Sequence, residues 1–361
     1  MAKVLLVGPS LEPVTGQSTA FGYVVSGLCS NESGGQVLHV YNSKGRGWYK
    51  AIFFFLFIVK LPFTFLWNRP RIVYLLNSRT KAGFLRDFWV FLFARVFGAR
   101  MVVHLHGADF DVFLKSLPRA WLRVVDWAYS VVTRAIVLCE GMQEQFSRYP
   151  SIAVTVVENC APTHLLKCSR IAEVSEIRVL YLSNIMASKG VIELLAAVAG
   201  VRAKGVPISL SVAGSFLADC ESSAEVVRRD FESRFDESYM VYHGAVGSEM
   251  KRSLLDWCNI VALPSRYPTE AQPLVLIEGM MSGRYILSSK HNHIPSMLKH
   301  EVNAELVSRV GVVEIEGALL KIWSERDKIP ELAKSNQVVA LEKYSLSAHV
   351  GRVAKILEVD A

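Results

Sequence analysis

Two glutamates, Glu270 and Glu278, lie eight residues apart on either side of a proline and an apolar run. The apolar residues 259–263 predict a buried strand, and Pro273 is favoured at the first position of a helix, where its missing N–H costs nothing. A helix N-terminus after a strand attracts a diphosphate, whereas carboxylates accept hydrogen bonds from hydroxyl groups. This combination predicts a nucleotide-sugar site, with Glu270 in the loop and Glu278 about two turns into the helix. The alternative is that both glutamates are solvated surface charges.

The residues around this pair resemble the Glu-x7-Glu signature of glycosyltransferase family 4, the large retaining GT-B family. An apolar strand and Pro-Ser precede Glu270, Pro-Leu and an apolar run follow it, and a small residue and Ser-Gly follow Glu278. The resemblance is clearest over residues 178–300. It implies an α/β protein of the GT-B fold, in which two Rossmann-like doubly wound domains face a cleft. It also implies that Glu270 binds hydroxyl groups of the donor sugar and that Glu278 binds the ribose.

A second element, residues 182–191, resembles the place where the family neutralises the donor diphosphate. Relatives carry Gly-Arg here, then Lys five residues later, then Gly. Lys189 and Gly190 match, but Asn184 stands at the position of the Arg. The substitution removes a positive charge from a place where negative charge develops on the leaving group. We therefore expect the leaving diphosphate to be stabilised less strongly there, or another cation to compensate. The alternative for Lys189 is that it is a surface lysine in a turn.

Other turns resemble those that hold the nucleotide in the family. Small residues let backbone groups approach a ligand closely, which the resemblance implies for the phosphates at Gly16 and for the nucleobase in the loops at 213–215 and 243–246. Relatives usually carry Gly-Gly where this chain has Gly16 followed by Gln17. Ordinary turns are the alternative at each place. The donor-binding residues implied in this way are Gly16, Asn184, Lys189, Gly214, Gly244, Val246, Gln272, Pro273, Leu274 and Glu278.

The segment at residues 104–107, His-Leu-His-Gly, resembles the family element that faces the transferred sugar. His106 is the match because it directly precedes Gly107, and His104 is expected to pack inside the strand. The resemblance makes Glu270, His106 and Lys189 the predicted catalytic residues. No side chain is an obvious nucleophile. The resemblance implies attack on the same face of the sugar, with the leaving phosphate accepting the proton of the acceptor.

Asp109 and Asp111 form an Asp-x-Asp triplet, the metal-binding mark of the other glycosyltransferase fold. The alternation of strands and helices along the chain opposes that fold, so we predict neither a metal ion nor a cofactor. The six cysteines include no Cys-x-x-Cys pair, which indicates reduced thiols in a cytosolic protein.

The chain has 361 residues, enough for two domains. Apolar runs with strand character alternate with helical ones through both halves, which predicts parallel, doubly wound sheets. We expect an acceptor-binding domain at 1–170, a nucleotide-sugar-binding domain at 171–344, and a last helix within 345–361 that crosses back to the first domain. The first boundary is placed where the periodicity lapses.

Positive charge and aromatic residues are concentrated in the N-terminal half. Residues 1–170 contain 19 Lys and Arg against 9 Asp and Glu, and 16 of the 37 aromatic residues lie between Trp48 and Phe97. The apolar residues 51–67 are barely long enough for a membrane span and are interrupted by a lysine and a proline. We favour a helix in the plane of an anionic membrane surface, with a buried core helix as the alternative. The basic residues that flank this run are Lys44, Arg46, Lys50, Arg69 and Arg71.

These features predict a retaining hexosyltransferase that moves a sugar from a nucleoside-diphosphate sugar to a glycan acceptor. A basic, aromatic N-terminal domain suits a lipid-linked acceptor in bacterial surface polysaccharide assembly (O-antigen, capsule or exopolysaccharide), at the cytoplasmic face of the membrane. A non-catalytic relative that binds nucleotide sugars or glycans is one alternative, suggested by Asn184. A nucleic-acid-binding protein is another, suggested by the pI of 9.0 but opposed by the absence of a polar basic stripe or motif. No Gly-x-Gly-x-x-Gly follows a strand, which opposes a nicotinamide dehydrogenase.

Overall fold

A computed structural model describes residues 3–11, 15–29, 37–43 and 49–358, without the side chains of residues 42, 43 and 50. The chain forms two compact units, an N-terminal unit of Met1–Asn159 with Leu346–Ala361 and a C-terminal unit of Cys160–Ser345. The first boundary thus lies eleven residues before the one predicted at residue 170. The reason is that Ala161 donates a backbone hydrogen bond to Tyr344 and Leu165 is buried in the core of the C-terminal unit.

The N-terminal unit contains a six-stranded parallel sheet in the order β2-β1-β3-β4-β5-β6. Its central strands are mostly apolar and buried, as expected of a parallel sheet covered on both faces by helices. The strands are β1 (Val4–Pro9), β2 (Val37–Ser43), β3 (Ile72–Leu76), β4 (Arg100–Leu105), β5 (Val132–Val137) and β6 (Ala153–Val156). The helices between them are α1 (Gly16–Cys29), α2 (Tyr49–Asn68), α3 (Lys81–Val96), α4 (Phe110–Lys115) and α5 (Arg119–Tyr129).

The C-terminal unit contains a second six-stranded parallel sheet in the order β12-β11-β10-β7-β8-β9. Its strands are β7 (Ile177–Leu182), β8 (Ile208–Ala213), β9 (Met240–Tyr242), β10 (Ile260–Leu263), β11 (Tyr285–Ser289) and β12 (Ala304–Val307). Its helices are α6 (Val191–Ala203), α7 (Ala224–Glu232), α8 (Ser248–Trp257), α9 (Leu274–Met281), α10 (Ile294–Met297), α11 (Val312–Ser324) and α12 (Ile329–Tyr344). Two doubly wound α/β units are therefore present, as the sequence predicts.

The order in which strands are added to the second sheet reverses at its centre, between the parallel neighbours β7 and β10. From β7 the chain winds outward through β8 and β9, and from β10 it winds outward the other way. The loops at the carboxyl ends of these two strands part in opposite directions and leave a crevice, which is the usual ligand site of an open α/β sheet. This reversal places the loop after β7 beside the loop after β10.

The last helix, α13 (Leu346–Leu357), belongs to the N-terminal unit and packs against α1. Gly27 permits the close approach, because a Cβ there would overlap the side chain of Val350. Val353 and Leu357 are buried in the same cluster as Phe21 of α1.

One local prediction needs correction. Helix α9 begins at Leu274, so Pro273 precedes the helix in an extended conformation and Glu278 is only the fifth helical residue. Helix α5 ends at Tyr129. The β-branched residues from Val131 onward favour the strand β5, which begins at Val132.

Helix α2 is apolar and mostly exposed, so the buried core helix considered as an alternative is wrong. Within Ala51–Asn68 the mean hydropathy is 1.8 and only 17% of the residues are buried. Phe57, Leu61 and Phe65 form the buried stripe, at the four-residue spacing of one helix face. By length and composition alone this segment could cross a membrane. Lys44 and Arg46, predicted to flank it, lie outside the described residues.

Candidate active site

Two of the predicted catalytic residues meet at the reversal point of the second sheet. Lys189 follows β7 and Glu270 follows β10, and the Lys189 Nζ atom lies 3.4 Å from Glu270 Oε2. Their side chains are 14% and 11% exposed, so both charges are largely removed from water while remaining accessible. Burial and the nearby Glu270 carboxylate raise the pKa of Tyr181, which lies in β7 beneath this pair.

The loop that carries Lys189 is fixed by close contacts on both sides. Gly190 has a φ of 70°, and a Cβ there would overlap the carbonyl oxygen of Pro264. Arg266 donates its backbone N–H to the Ser188 carbonyl at 2.7 Å. Asp219 accepts hydrogen bonds from the N–H and the hydroxyl of Ser188 at 2.8 and 2.6 Å. Burial opposes ionisation of Asp219, but these hydrogen bonds outweigh it and lower the pKa of the carboxyl group.

Polar groups that the sequence analysis did not assign also hold this pair. The Ser265 hydroxyl donates to Glu270 Oε2 at 3.2 Å, and the Ser183 hydroxyl accepts from Lys189 Nζ at 3.1 Å. Asn292 donates to the Glu270 carbonyl at 3.2 Å. Ser265 lies inside the signature segment and Ser183 lies beside Asn184, so their positions in the sequence could have identified them as site residues. Asn292 follows a different strand, and its position in the sequence gave no such indication.

Glu278 forms a separate ion pair deeper in the unit. Lys251 of α8 donates from Nζ to Glu278 Oε1 at 2.7 Å, and the glutamate side chain is only 4% exposed. A nearly buried carboxylate needs such a partner, because an unpaired charge is costly to remove from water. Lys251 was not predicted, since nothing in the sequence links α8 to a residue 27 positions later.

Asn184 lies in the loop after β7, at the position where relatives carry Arg. Its carbonyl accepts a hydrogen bond from Tyr181 at 3.0 Å. Its side-chain amide makes no hydrogen bond within the described part of the chain. Arg266 in the loop after β10 is a candidate for a compensating cation, but its guanidinium group is already bound by Glu193 and Glu221.

The two predicted nucleobase loops contact each other. Gly214 donates its N–H to the Gly244 carbonyl at 2.8 Å. A Cβ on Gly214 would overlap the Ser183 carbonyl oxygen, whereas a Cβ on Gly244 would enter open space. Val246 is half-buried and packs against the core. Gly214 is thus required for packing next to the Lys189 loop, while the space beside Gly244 is free for a ligand.

The start of α9 contributes a helix N-terminus to the same carboxyl edge. Gln272 and Pro273 are buried just before it, and Leu274 is half-buried at its first position. Pro273 makes no side-chain cap, so the N–H groups of Leu274 and Val275 have no capping side chain, whereas that of Leu276 donates to the Pro273 carbonyl at 3.2 Å.

In the N-terminal unit, the loop after β1 is described only in part, because residues 12–14 lie outside the described residues. Gly16 is the first residue of α1, and a Cβ there would meet nothing within 4 Å. Gly8, near the end of β1, is instead required for packing, because a Cβ there would overlap the Phe21 ring. The space beside Gly16 is therefore compatible with a ligand, which stays a prediction.

His106 belongs to a cluster of three histidines in the N-terminal unit. Its ring centroid lies 4.1 Å from that of His104, which lies 6.3 Å from His349 of α13. His104 is fully buried and its Nδ1 lies 2.6 Å from the Tyr74 hydroxyl. Desolvation, then the neighbouring His349 and Arg79, lower the pKa of His106 to about 3. The imidazole is therefore neutral at physiological pH.

The Asp-x-Asp triplet has structural partners. Asp109 forms an ion pair with Arg79, whose guanidinium group covers Gly107, and Asp111 pairs with Lys115 at 3.0 Å. Within the residues the structure describes, no group of three His, Cys, Asp or Glu side chains is arranged to hold a metal ion.

Comparisons with known proteins agree with this architecture. Residues 176–325, within the C-terminal unit, match the family model of the glycosyl transferases group 1. The alpha-D-kanosaminyltransferase of Streptomyces kanamyceticus is 23% identical over 74% of this chain and 73% of its own length.

Two solved structures superpose along almost the whole chain. Anabaena Alr3699/HepE, solved in complex with UDP and glucose, has a TM-score of 0.77 at 16% identity and covers 99% of this chain and 100% of its own. The lipopolysaccharide outer core galactosyltransferase WaaB has a TM-score of 0.66 at 14% identity and covers 99% of both chains. Residues 176–325 of the C-terminal unit are therefore similar to the glycosyl transferases group 1, and the chain has the two-unit α/β architecture of the GT-B fold.

Proposed function

We propose that this protein transfers a sugar from a nucleoside-diphosphate sugar to a lipid-linked glycan acceptor, with retention of the anomeric configuration, as in glycosyltransferase family 4. The Lys189–Glu270 pair at the reversal of the second sheet is the observation that carries the proposal. It sets a cation for the leaving diphosphate beside a carboxylate that accepts hydrogen bonds from sugar hydroxyl groups. UDP and glucose in the complex of the Anabaena protein support a nucleotide-sugar donor.

Each part of the donor has a counterpart among these residues. Lys189 and the N-terminus of α9 bind the diphosphate, through a positive charge and free N–H groups. Glu270 binds hydroxyl groups of the donor sugar, and Glu278, already held by Lys251, binds the ribose. The open space beside Gly244 accommodates the base. His106, neutral in the folded protein, contacts the transferred sugar as a hydrogen-bonding group.

The N-terminal unit supplies the acceptor specificity in this proposal. Its exposed helix α2 presents large apolar side chains to the outside, including Phe55, Phe63 and Trp67, which are 65%, 55% and 76% exposed. Such a surface suits an in-plane contact with lipid, which also concentrates a lipid-linked acceptor. We place the enzyme at the cytoplasmic face of the membrane of a bacterium that builds a surface polysaccharide.

A donor panel tests the proposal. The purified protein is incubated with different nucleoside-diphosphate sugars and with lipid-linked glycan extracted from cells, and the released nucleotide and the glycosylated lipid are both measured. One donor should give both products in equal amounts, and NMR of the new linkage should show the anomeric configuration of the donor.

Two variants connect this activity to the site. Glu270→Ala and Lys189→Ala should abolish transfer, whereas Lys334→Ala, an exposed lysine on α12, should leave it unchanged. Transfer that survives both substitutions, or a product with the inverted configuration, would contradict the proposal.

A further inference from the structure

An open surface groove lies at the edge of the first sheet where β3 and β4 begin. Its volume is about 730 Å³, and its lining includes Leu66, Arg69, Arg71, Val96, Phe97 and Arg100. These residues come from the C-terminal ends of α2 and α3 and from the starts of the two strands. The groove therefore lies at the opposite edge of this sheet from His106 and Gly16, which follow the carboxyl ends of β4 and β1. A ligand in the groove is not at the candidate catalytic edge.

The charge of the groove is only partly neutralised by protein groups. The Arg100 guanidinium group donates to both carboxylate oxygens of Glu358, at 3.0 and 2.7 Å. Arg69 and Arg71 are exposed and form no ion pair within the described ranges. Two guanidinium groups without an ion-pair partner suit a phosphate. The phosphate oxygens accept hydrogen bonds from the parallel N–H groups of each guanidinium.

The walls of the groove are apolar and continue onto the exposed face of α2. Leu66 and Val96 are 53% and 66% exposed, and the neighbouring Trp67 is 76% exposed. The ring of Phe97, at the end of α3, packs 5.6 Å from that of Phe65. A ligand that satisfies both parts of this surface carries a phosphate next to a hydrocarbon chain.

The direction of α2 connects this groove with the membrane contact proposed above. The helix has 20 residues, which corresponds to a length of about 30 Å. It begins after the carboxyl end of β2 and ends at the groove, so it runs from one edge of the sheet to the other. A helix lying flat on a bilayer would therefore bring the groove to the headgroup region at one end and the catalytic edge at the other.

We propose that this groove binds the headgroup phosphate of an anionic membrane phospholipid, whose hydrocarbon chain lies against the exposed apolar residues of α2. Arg69 and Arg71 hold the phosphate, and Leu66, Val96 and Trp67 contact the chain. The groove thereby anchors the C-terminal end of α2 in the membrane surface. This inference rests on the proposed membrane association and is independent of the sugar-transfer chemistry.

Vesicle binding by the full-length protein tests the inference. Partition is measured onto phosphatidylcholine vesicles with and without phosphatidylglycerol at low salt. Arg69→Gln/Arg71→Gln should weaken binding to the anionic vesicles about tenfold or more. The control Arg119→Gln/Arg123→Gln removes the same charge from exposed positions on α5 and should weaken it no more than about threefold, through loss of general electrostatic attraction.

Trp67 reports on the hydrocarbon part of the contact. Phospholipids with brominated acyl chains should quench a component of the fluorescence that is absent in Trp67→Phe, and this quenching should decrease in the Arg69→Gln/Arg71→Gln variant. Equal losses for the two double variants, or unchanged binding without the groove arginines, would overturn the inference. Retention of the protein in vesicles after an alkaline wash would also overturn it, since α2 would then span the bilayer. Nucleotide release without vesicles should be the same in all variants, which separates this outcome from the proposed activity.

Discussion

The Lys189 ammonium group and the Glu270 carboxylate form an ion pair of 3.4 Å across 81 residues of sequence. The pair connects the loops that follow β7 and β10, the two strands at which the second sheet reverses its order. Each group already has a neutral partner, Ser183 for the lysine and Ser265 for the glutamate. In the proposed function, a donor exchanges one interaction of the pair for its own diphosphate and hydroxyl groups, while the serines keep both side chains in place.

Removing Lys251 should destabilise the protein through Glu278. In Lys251→Met the buried carboxylate loses its ammonium partner, and we expect a decrease of about 1–3 kcal/mol in the free energy of unfolding. The KM for the donor should rise, because Glu278 is no longer held in place for the ribose. Urea unfolding and donor kinetics measure the two effects.

The double variant Lys251→Met/Glu278→Gln separates them. Removal of both charges should restore most of the stability, because no unpaired charge stays buried, while donor affinity stays low. The role of this pair would be contradicted if Lys251→Met were as stable as the wild type. It would also be contradicted if the double variant were less stable than Lys251→Met.

An arginine at position 184 should increase activity. The Asn184 side chain makes no hydrogen bond within the described residues, and the guanidinium group of Asn184→Arg would add positive charge beside Lys189, where the leaving diphosphate develops charge. We expect a gain of about tenfold in the kcat for nucleotide release, equivalent to about 1.4 kcal/mol. Asn184→Gln, which adds length without charge, is the control. A rate that does not increase in a stably folded Asn184→Arg protein would indicate that another cation already serves this step.

The fold, and the placement of Lys189 and Glu270 in loops that follow buried strands, could be predicted from the sequence for physical reasons. The alternation of apolar strands and helices specifies a doubly wound sheet, and the sheet in turn brings the loops after β7 and β10 together. Partners that come from other strands could not be predicted, because a single sequence does not show which side chains meet. Lys251 on α8 and Asn292 after β11 are examples. The environment of α2 could not be decided from sequence either, since an apolar, aromatic composition fits a buried core helix as well as the favoured in-plane helix.

Gly190, next to Lys189, and Gly16, in the predicted phosphate loop, should respond differently to alanine. Gly190→Ala requires a left-handed backbone and overlaps the Pro264 carbonyl oxygen, so we expect a loss of about 1–3 kcal/mol of stability and reduced nucleotide release. Gly16→Ala meets nothing within 4 Å and should leave the melting temperature unchanged. Any effect of Gly16→Ala should appear in the KM for the donor alone. Equal melting temperatures for both variants would contradict the packing described for the Lys189 loop.

The histidine cluster should make the stability of the protein depend on pH. Burial, followed by the two neighbouring histidines, lowers the pKa of His104, and the pKa values of His106 and His349 fall to about 3 and about 4. Because an unfolded histidine has a pKa of about 6.5, the unfolded state binds more protons between about pH 6.5 and pH 4. The free energy of unfolding should therefore decrease as the pH falls through this range, by up to about 1.4 kcal/mol per pH unit for each histidine.

Removal of one member of the cluster tests this dependence. His349→Gln keeps a donor for the Glu158 carbonyl, which His349 contacts through Nδ1 at 2.6 Å, and should lower the slope of stability against pH by about one proton. His164→Gln, at an exposed position, is the control and should leave the slope unchanged. Stability that is constant between about pH 6.5 and pH 4.5 would contradict the neutral, buried cluster.

The most direct test of the account is the rate of sugar transfer by Glu270→Gln. This change keeps the shape of the side chain and removes the charge that pairs with Lys189 and that we propose accepts hydrogen bonds from the donor sugar. We predict a loss of about 100- to 1000-fold in kcat, with a melting temperature close to that of the wild type. Transfer by Glu270→Gln at the wild-type rate would contradict the assignment of the Lys189–Glu270 pair as the centre of the active site.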